Sequence, residues 1–426
     1  MTYQEAVEYL ESRERFGIRL GLANILRLLN RLDNPQKGFP SFHIAGTNGK
    51  GSTAAMLAAI LSSAGYRTGL YTSPHLWDVC ERIQIDGRPI ARKEFASLIA
   101  SLVPVVEELS QFPPHSPTYF ESLTAAAFLY FCQKRVDYAV VEVGMGGRLD
   151  ATNVVTPLVS VITPIGLEHR RYLGNTLAAI AREKAGIIKE GRPVVVGKQV
   201  RSAFQVINKV ARERGCAVYS LGKNITWTTE GGTKSSFSFH IKVPGLERKI
   251  DGVRISLPGT FQVENAATAC LALTAAGLSV KEEVVRQALK EISWPGRLQV
   301  VSRKPLIIFD VSHNPPAIKT LLANLSFLYP KKEFKFLCGL LKDKDYRSIL
   351  KLIGPFGKEF YFTRPDSHRS REPEELKSYF QKVFPNKPCR VVVNPRQAYF
   401  AARKEIGEKE LLCICGSFYL ASALKG

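Results

Sequence analysis

The segment Ser41-Phe42-His43-Ile44-Ala45-Gly46-Thr47-Asn48-Gly49-Lys50-Gly51-Ser52-Thr53 carries the reading of this chain. Its first five residues form a short, mostly apolar run of the kind found in a buried strand. Gly46–Gly51 is a glycine-rich turn, and an Ala- and Leu-rich helix is expected from Ser52 to about Ala64, ending at Gly65. A further strand is expected over Tyr66–Tyr71. Strand, glycine turn, helix and strand in this order make a βαβ unit. Such a turn cradles phosphate. Glycines let backbone N–H groups face an anion, the helix N-terminus adds partial positive charge, and Lys50 adds a full one. A plain glycine turn is the duller alternative, but the strand and helix on either side favour phosphate. The spacing is not that of the standard Walker A loop, which needs Gly six residues before Lys and Ser or Thr after it. Here those places hold Ile44 and Gly51.

Working outward, residues 21–32 place Leu22, Ile25, Leu26, Leu29 and Leu32 at helical spacing. Strands are expected at Tyr138–Val143, Val159–Thr163 and Pro193–Val196, with helices near 94–110, 121–134 and 176–188. Residues 216–256 change character. Ile225–Thr229 and Ser236–Ile241 alternate as antiparallel strands do. Helices return near 262–276 and 280–291. Ser293-Trp294-Pro295-Gly296 reads as a break. Strands near 305–310, 333–339, 358–363, 389–393 and 410–415 then form a second α/β alternation. The expected fold class is α/β: a P-loop, phosphate-binding domain over 1–292 with a mostly parallel sheet, a hinge at 293–297, and a smaller Rossmann-like domain over 298–426.

A length of 426 residues suits two or three domains and a sizeable core. Lys and Arg number 59 against 38 Asp and Glu, a net charge of +21, which points to anionic partners. Residues 298–426 hold 23 basic and 12 acidic side chains, yet no basic block or tail. Interspersed charge of this kind reads as solvated surface. Eight cysteines without a Cys-x-x-Cys pair read as small buried residues in a reducing compartment. Cys413 and Cys415 would share one face of a strand. The N-terminal residues lack the apolar core of a signal peptide, and no run approaches ~18 apolar residues. A soluble cytoplasmic protein with no membrane partner is the expectation.

Eight segments in order carry a resemblance. They are Gly46–Ser52 (GTNGKGS), Tyr71–Leu76 (YTSPHL) with Glu81-Arg82-Ile83, Glu142–Asn153 (EVGMGGRLDATN), Arg182–Ile187 (REKAGI), Trp294–Arg297 (WPGR), Asp310–Pro315 (DVSHNP), Asp343-Lys344-Asp345, and Gly416-Ser417. Along nearly its whole length the chain resembles the Mur ligase superfamily of ATP-dependent amide-forming enzymes. Within it, the chain is similar to the folylpolyglutamate synthases and their bifunctional bacterial form, which also makes dihydrofolate. The Leu149–Asn153 form favours the bifunctional type.

The resemblance implies site residues. Thr47, Asn48, Gly49, Lys50, Gly51 and Ser52 would hold ATP phosphates, joined by Asn265 at the adenine edge and by Arg297 and Asp310 beyond the break. Ser73 and Glu142 would ligate Mg²⁺, and hard oxygen donors suit that ion. His169 would serve a second Mg²⁺; here it sits in Glu168-His169-Arg170-Arg171, where relatives usually carry Asp-His. Lys184 would carry a CO₂-derived carbamate, turning a cation into an anion able to orient a metal ligand. His313 would lie near the transferring phosphate. Phe261 stands where relatives commonly have His, ahead of Gln262 and Asn265. Dihydropteroate would lie on Thr118, Tyr119, Phe120 and Glu121 and on Leu149, Asp150 and Ala151.

Each residue also has a plain structural reading. Glu142 could be a solvated strand end, Lys184 an exposed helix lysine, Tyr119 and Phe120 core packing, and Asn314-Pro315 an ordinary helix start. The resemblance implies that a substrate carboxylate takes the γ-phosphoryl group of ATP and that L-glutamate then attacks the acyl phosphate, with domain closure completing the site. Lys50, Lys184, His169 and His313 are the catalytic candidates. Substrates would be dihydropteroate, reduced folates, L-glutamate and ATP, and a monomer is expected. Three alternatives compete with this reading. One is a polyglutamate synthase alone. Another is a cell-wall Mur ligase, whose UDP-sugar domain would not fit in the 45 residues before Gly46. The third is a nucleic-acid-binding ATPase, which should show basic stripes with interleaved aromatics; the sequence shows none, so no nucleic-acid partner is expected.

Overall fold

The computed structural model describes residues 1–17, 19–112, 115–229 and 237–424. Two compact units emerge, Met1–Ser256 with Val263–Ile292, and Leu257–Gln262 with the chain from Ser293 on.

The first unit is built on eight strands: β1 (Ser41–Ala45), β2 (Thr68–Tyr71), β3 (Ile83–Ile85), β4 (Arg88–Pro89), β5 (Tyr138–Glu142), β6 (Val159–Ile162), β7 (Val194–Val196) and β8 (Val218–Ser220). Their order is β4-β3-β2-β5-β1-β6-β7-β8. The six strands from β2 to β8 in that order run parallel, while β3 and β4 turn back antiparallel. All five residues of β1 are buried, as a strand covered on both faces requires. With β5 on one side and β6 on the other, the carboxyl end of β1 is where open α/β sheets receive ligands.

The helix after β1 spans Lys50–Ser63 and is buried along nearly its whole length. It begins two residues before the expected Ser52. The reason is Gly49, whose left-handed backbone (φ 85, ψ −7) closes the turn directly ahead of Lys50. A helix over Arg201–Glu213 joins β7 to β8, and neither it nor β8 was expected. Its buried residues Ala203, Ile207 and Ala211 recur every fourth position, a signal that was there to read.

A separate antiparallel sheet holds β9 (Ile225–Thr229), β10 (Phe237–Val243) and β11 (Leu246–Val253). Ser236, the expected start of the second strand, lies outside the described residues. Charged residues hide β11 in the sequence, since only Ile250 and Val253 are buried along it.

The second unit carries β12 (Gln299–Arg303), β13 (Leu306–Phe309), β14 (Glu333–Cys338), β15 (Gly357–Phe362), β16 (Cys389–Val391) and β17 (Glu410–Cys415), in the order β12-β13-β17-β14-β15-β16. All pairs are parallel except the edge strand β12, which sequence reading missed. Phe336, Phe360, Phe362 and Phe380 centre its core, with Leu411, Cys413 and Cys415 on the same face of β17. Phe261 packs into this core, which accounts for a phenyl ring at that position. Among the described residues no helix is long and apolar enough to cross a membrane.

Candidate active site

The phosphate loop is shaped by two glycines that nothing larger could replace. A Cβ on Gly46 (φ 153) would meet Thr163 Oγ1 at 1.8 Å, and one on Gly49 would meet Asn265 Oδ1 at 2.6 Å. The loop is pinned to the segment after β6. Thr47 N and Asn48 N donate to Pro164 O at 2.9 and 3.2 Å, and Thr47 Oγ1 exchanges hydrogen bonds with Gly166. Thr53 N donates to Gly49 O at 2.9 Å, so the N–H groups of Lys50, Gly51 and Ser52 form the open end of the helix. Lys50 Nζ reaches back to Thr47 O at 3.4 Å. Ser52 Oγ is buried with no hydrogen-bond partner among the described residues. An orphaned hydroxyl at a helix N-terminus fits an incoming phosphate oxygen or its metal. Asn265 approaches the loop from the helix Phe261–Ala275, its Oδ1 accepting from Thr53 Oγ1 at 3.4 Å.

Strands β2 and β5 pair with Tyr71 opposite Val141, so Ser73 and Glu142 emerge side by side at the carboxyl edge. Ser73 N donates to Glu142 Oε2 at 3.2 Å, and Glu142 is only 4% exposed. Among the described residues no group of three or more His, Cys, Asp or Glu could hold a metal by itself. A pair of hard oxygen side chains next to a phosphate cradle nevertheless fits Mg²⁺, which keeps waters and phosphate oxygens in its shell. His169 stands at the start of the short helix Arg170–Leu173 in a left-handed conformation (φ 50, ψ 37). Such a backbone is uncommon outside glycine and marks a position the surroundings enforce. His169 Nε2 lies 3.8 Å from Glu168 Oε1.

Lys184 is not an exposed helix lysine. It is 4% exposed, and its Nζ donates to Gly46 O at 2.6 Å, placing the amine under the phosphate loop. Burial, with the charge of Lys50 adding to it, pulls its pKa down to about 7, while Glu168 and Asp150 act the other way. The helix Leu177–Ala185 that carries it is held against the next loop. Arg148 N donates to Glu183 O at 2.7 Å, and the Arg148 guanidinium pairs with the Glu183 carboxylate at 2.9 Å. A Cβ on Gly147 would come within 3.0 Å of Lys184 Cα, so glycine permits that approach.

The expected substrate segments hold themselves together. Thr118 and Glu121 form a reciprocal capping box on the helix Tyr119–Gln133: Thr118 N donates to Glu121 Oε2 at 2.8 Å and Glu121 N to Thr118 Oγ1 at 3.3 Å. The spacing Thr-x-x-Glu signals this in the sequence and was not read. Burial raises the Glu121 carboxyl above its usual range. Phe120 packs on Gly144 and tilts against Tyr71 at 6.1 Å. Tyr119 lines a cavity of about 130 Å³ with Tyr3, Glu11, His75 and Trp77. The Arg82 guanidinium lies 5.4 Å over the Tyr119 ring and donates to His75 Nδ1 at 2.9 Å. Asp150 is buried. It accepts from Met145 N at 2.7 Å and Thr152 N at 3.0 Å and also takes the Thr152 hydroxyl, which forms the loop carrying Leu149 and Ala151.

In the second unit, Asp310 directly follows β13 and accepts from Leu298 N and Ser312 N, each at 2.8 Å. His313 Nδ1 pairs with Val311 O at 2.8 Å, leaving Nε2 on the other side of the ring. Arg297 and His313 flank Phe418, at 5.5 and 5.7 Å from its ring. Asn314 caps the helix Pro315–Leu328, accepting from Ala317 N at 2.9 Å, with Pro315 in its first turn.

Residues 44–273 match the Mur ligase middle domain and residues 296–418 the Mur ligase glutamate ligase domain. The chain is 36% identical to the dihydrofolate synthase/folylpolyglutamate synthase of Bacillus subtilis (strain 168), over 99% of this chain and 98% of that one. Mycobacterium tuberculosis folylpolyglutamate synthase, solved with ADP and AMPPCP, superposes with a TM-score of 0.90 at 32% identity, covering 99% of this chain and 98% of that one. Escherichia coli FolC, solved with DHPP and ADP, gives 0.86 at 32% identity, covering 98% and 96%. Phosphate loop, paired strand tips and full-length likeness agree, and the chain belongs to the dihydrofolate synthase/folylpolyglutamate synthase family of Mur ligases.

Proposed function

We propose that this protein is an ATP-dependent ligase that joins L-glutamate to dihydropteroate, making dihydrofolate, and to the γ-carboxylate of reduced folates, making polyglutamates. The observation that carries the reading is the glycine loop, with its open helix end and orphaned Ser52 hydroxyl, in a chain similar over its full length to such synthases. The substrate carboxylate attacks the γ-phosphorus of ATP and ADP departs. The amine of L-glutamate then attacks the acyl carbon, loses a proton, and expels inorganic phosphate. Ser73 and Glu142 would hold Mg²⁺ and His169 would serve a second ion, and the bound metal would supply charge neutralisation for the phosphoryl group. Lys50 and the N–H groups of the loop hold the phosphates. Arg297, Asp310 and His313 are nucleotide-binding residues in this reading.

Lys184 becomes a carbamate in this reading. Only a neutral amine attacks CO₂, and an amine with a pKa near 7 is substantially neutral at physiological pH. The substrate rests on Tyr119, Phe120, Leu149 and Ala151, while Thr118, Glu121 and Asp150 give those segments their shape. Partners are small molecules, without nucleic acid or membrane, and the chain acts as a monomer in the cytoplasm. The test is product formation: ADP release that requires both dihydropteroate and glutamate and ignores added DNA or RNA. ADP release that follows nucleic acid instead would overturn the reading.

A further inference from the structure

His43 lies on β1, three residues before the phosphate loop, and is fully buried. Its Nε2 is 2.9 Å from Thr152 Oγ1. The Thr152 hydroxyl proton is directed at Asp150 Oδ1, so Thr152 Oγ1 must accept from an Nε2–H of His43. The second Asp150 oxygen takes Met145 N at 2.7 Å. His43 Nδ1 is buried and has no partner among the described residues, which fixes the ring as a neutral Nε2–H tautomer. Burial, with the charge of Lys189 adding to it, keeps the ring neutral by drawing its pKa down to about 3. A hydrophobic residue would fill this strand position without leaving a buried acceptor unpaired, so the imidazole is not there for packing alone.

We propose that His43 is a positioning residue for the substrate: through Thr152 and Asp150 it ties the strand that carries the phosphate loop to the loop bearing Leu149 and Ala151. Phosphate loop and acceptor loop then share one rigid support, and the substrate carboxylate meets ATP in register. The inference rests on the reading above that Leu149–Ala151 contacts the pteroyl substrate.

The test is steady-state kinetics with folding checked by thermal unfolding. His43→Leu keeps the volume and removes the donor. It should raise KM for dihydropteroate about tenfold and leave KM for ATP within about twofold. His43→Gln restores an N–H donor and should recover most of the loss. Thr152→Val should match His43→Leu, and the double variant should be no worse than either, because both cut the same chain. A stability loss without a KM split, no rescue by Gln, or additive singles would overturn the proposal. Leu149→Ala separates the two levels, because Leu149 is half-buried whereas Ala151 packs in the core. If it raises KM for dihydropteroate while the His43 variants do not, the relay fails and the loop assignment stands. If Leu149→Ala has no effect either, the loop assignment falls and takes the relay with it.

Discussion

The phosphate loop and the proposed substrate loops lie in the same unit and treat their polar groups in opposite ways. In the phosphate loop, Ser52 Oγ is buried without a partner among the described residues and the helix end is open. In the substrate segments, Thr118, Glu121, Asp150 and Thr152 bond to one another and to the backbone. The first region is preorganised by glycine and left open for an anion. The second is preorganised by its own hydrogen bonds and carries half-buried Tyr119, Phe120 and Leu149, with Ala151 packed in the core. Substitutions in the first should move activity and spare stability; substitutions in the second should change both activity and stability.

Lys50→Ala should show the largest effect, a loss of about a thousandfold or more in kcat/KM, because the phosphates lose their cation. Near-normal turnover would remove the phosphate-loop assignment. Lys184→Ala should come next, with activity partly restored by a small added carboxylate. The wild-type enzyme stripped of CO₂ adds a pH test. A lowered pKa means that the amine is neutral above about 7 and protonated below it. Reactivation at a fixed concentration of dissolved CO₂ should therefore increase as pH rises through 7, and a response flat in pH sinks the carbamate.

Ser52→Ala tests the comparison itself. It should cut kcat/KM for ATP by roughly 10–100-fold while the unfolding midpoint stays put, since among the described residues no hydrogen bond is lost. A marked fall in stability would mean the hydroxyl is structural after all. Thr118→Ala should give the smallest effect, costing about 1 kcal/mol of stability as a lost N-cap does, with a modest rise in KM for the pteroyl substrate. Denaturant unfolding measures the first and initial rates the second.

Much of this was legible in the residues. The strand and turn at Ser41–Gly51 follow from composition and glycine spacing, and Gly49 alone shifts the helix start. The five parallel strands of the second unit read as short apolar runs, whereas β12 and β11 do not, because edge and exposed strands carry polar residues. The Thr118–Glu121 box was readable from spacing. The depth of Lys184 was not, for its neighbours Arg182 and Glu183 look like a solvated face, and the burial comes from Gly147 and Gly46 far off in sequence. His43 was equally silent, since its partner Thr152 is 109 residues away.

The most direct test of the central claim is glutamate incorporation with dihydropteroate and tetrahydrofolate side by side, in the presence of Mg²⁺ and ATP. Both acceptors should gain labelled L-glutamate with one ADP formed for each. ADP formed with neither acceptor labelled would contradict the account.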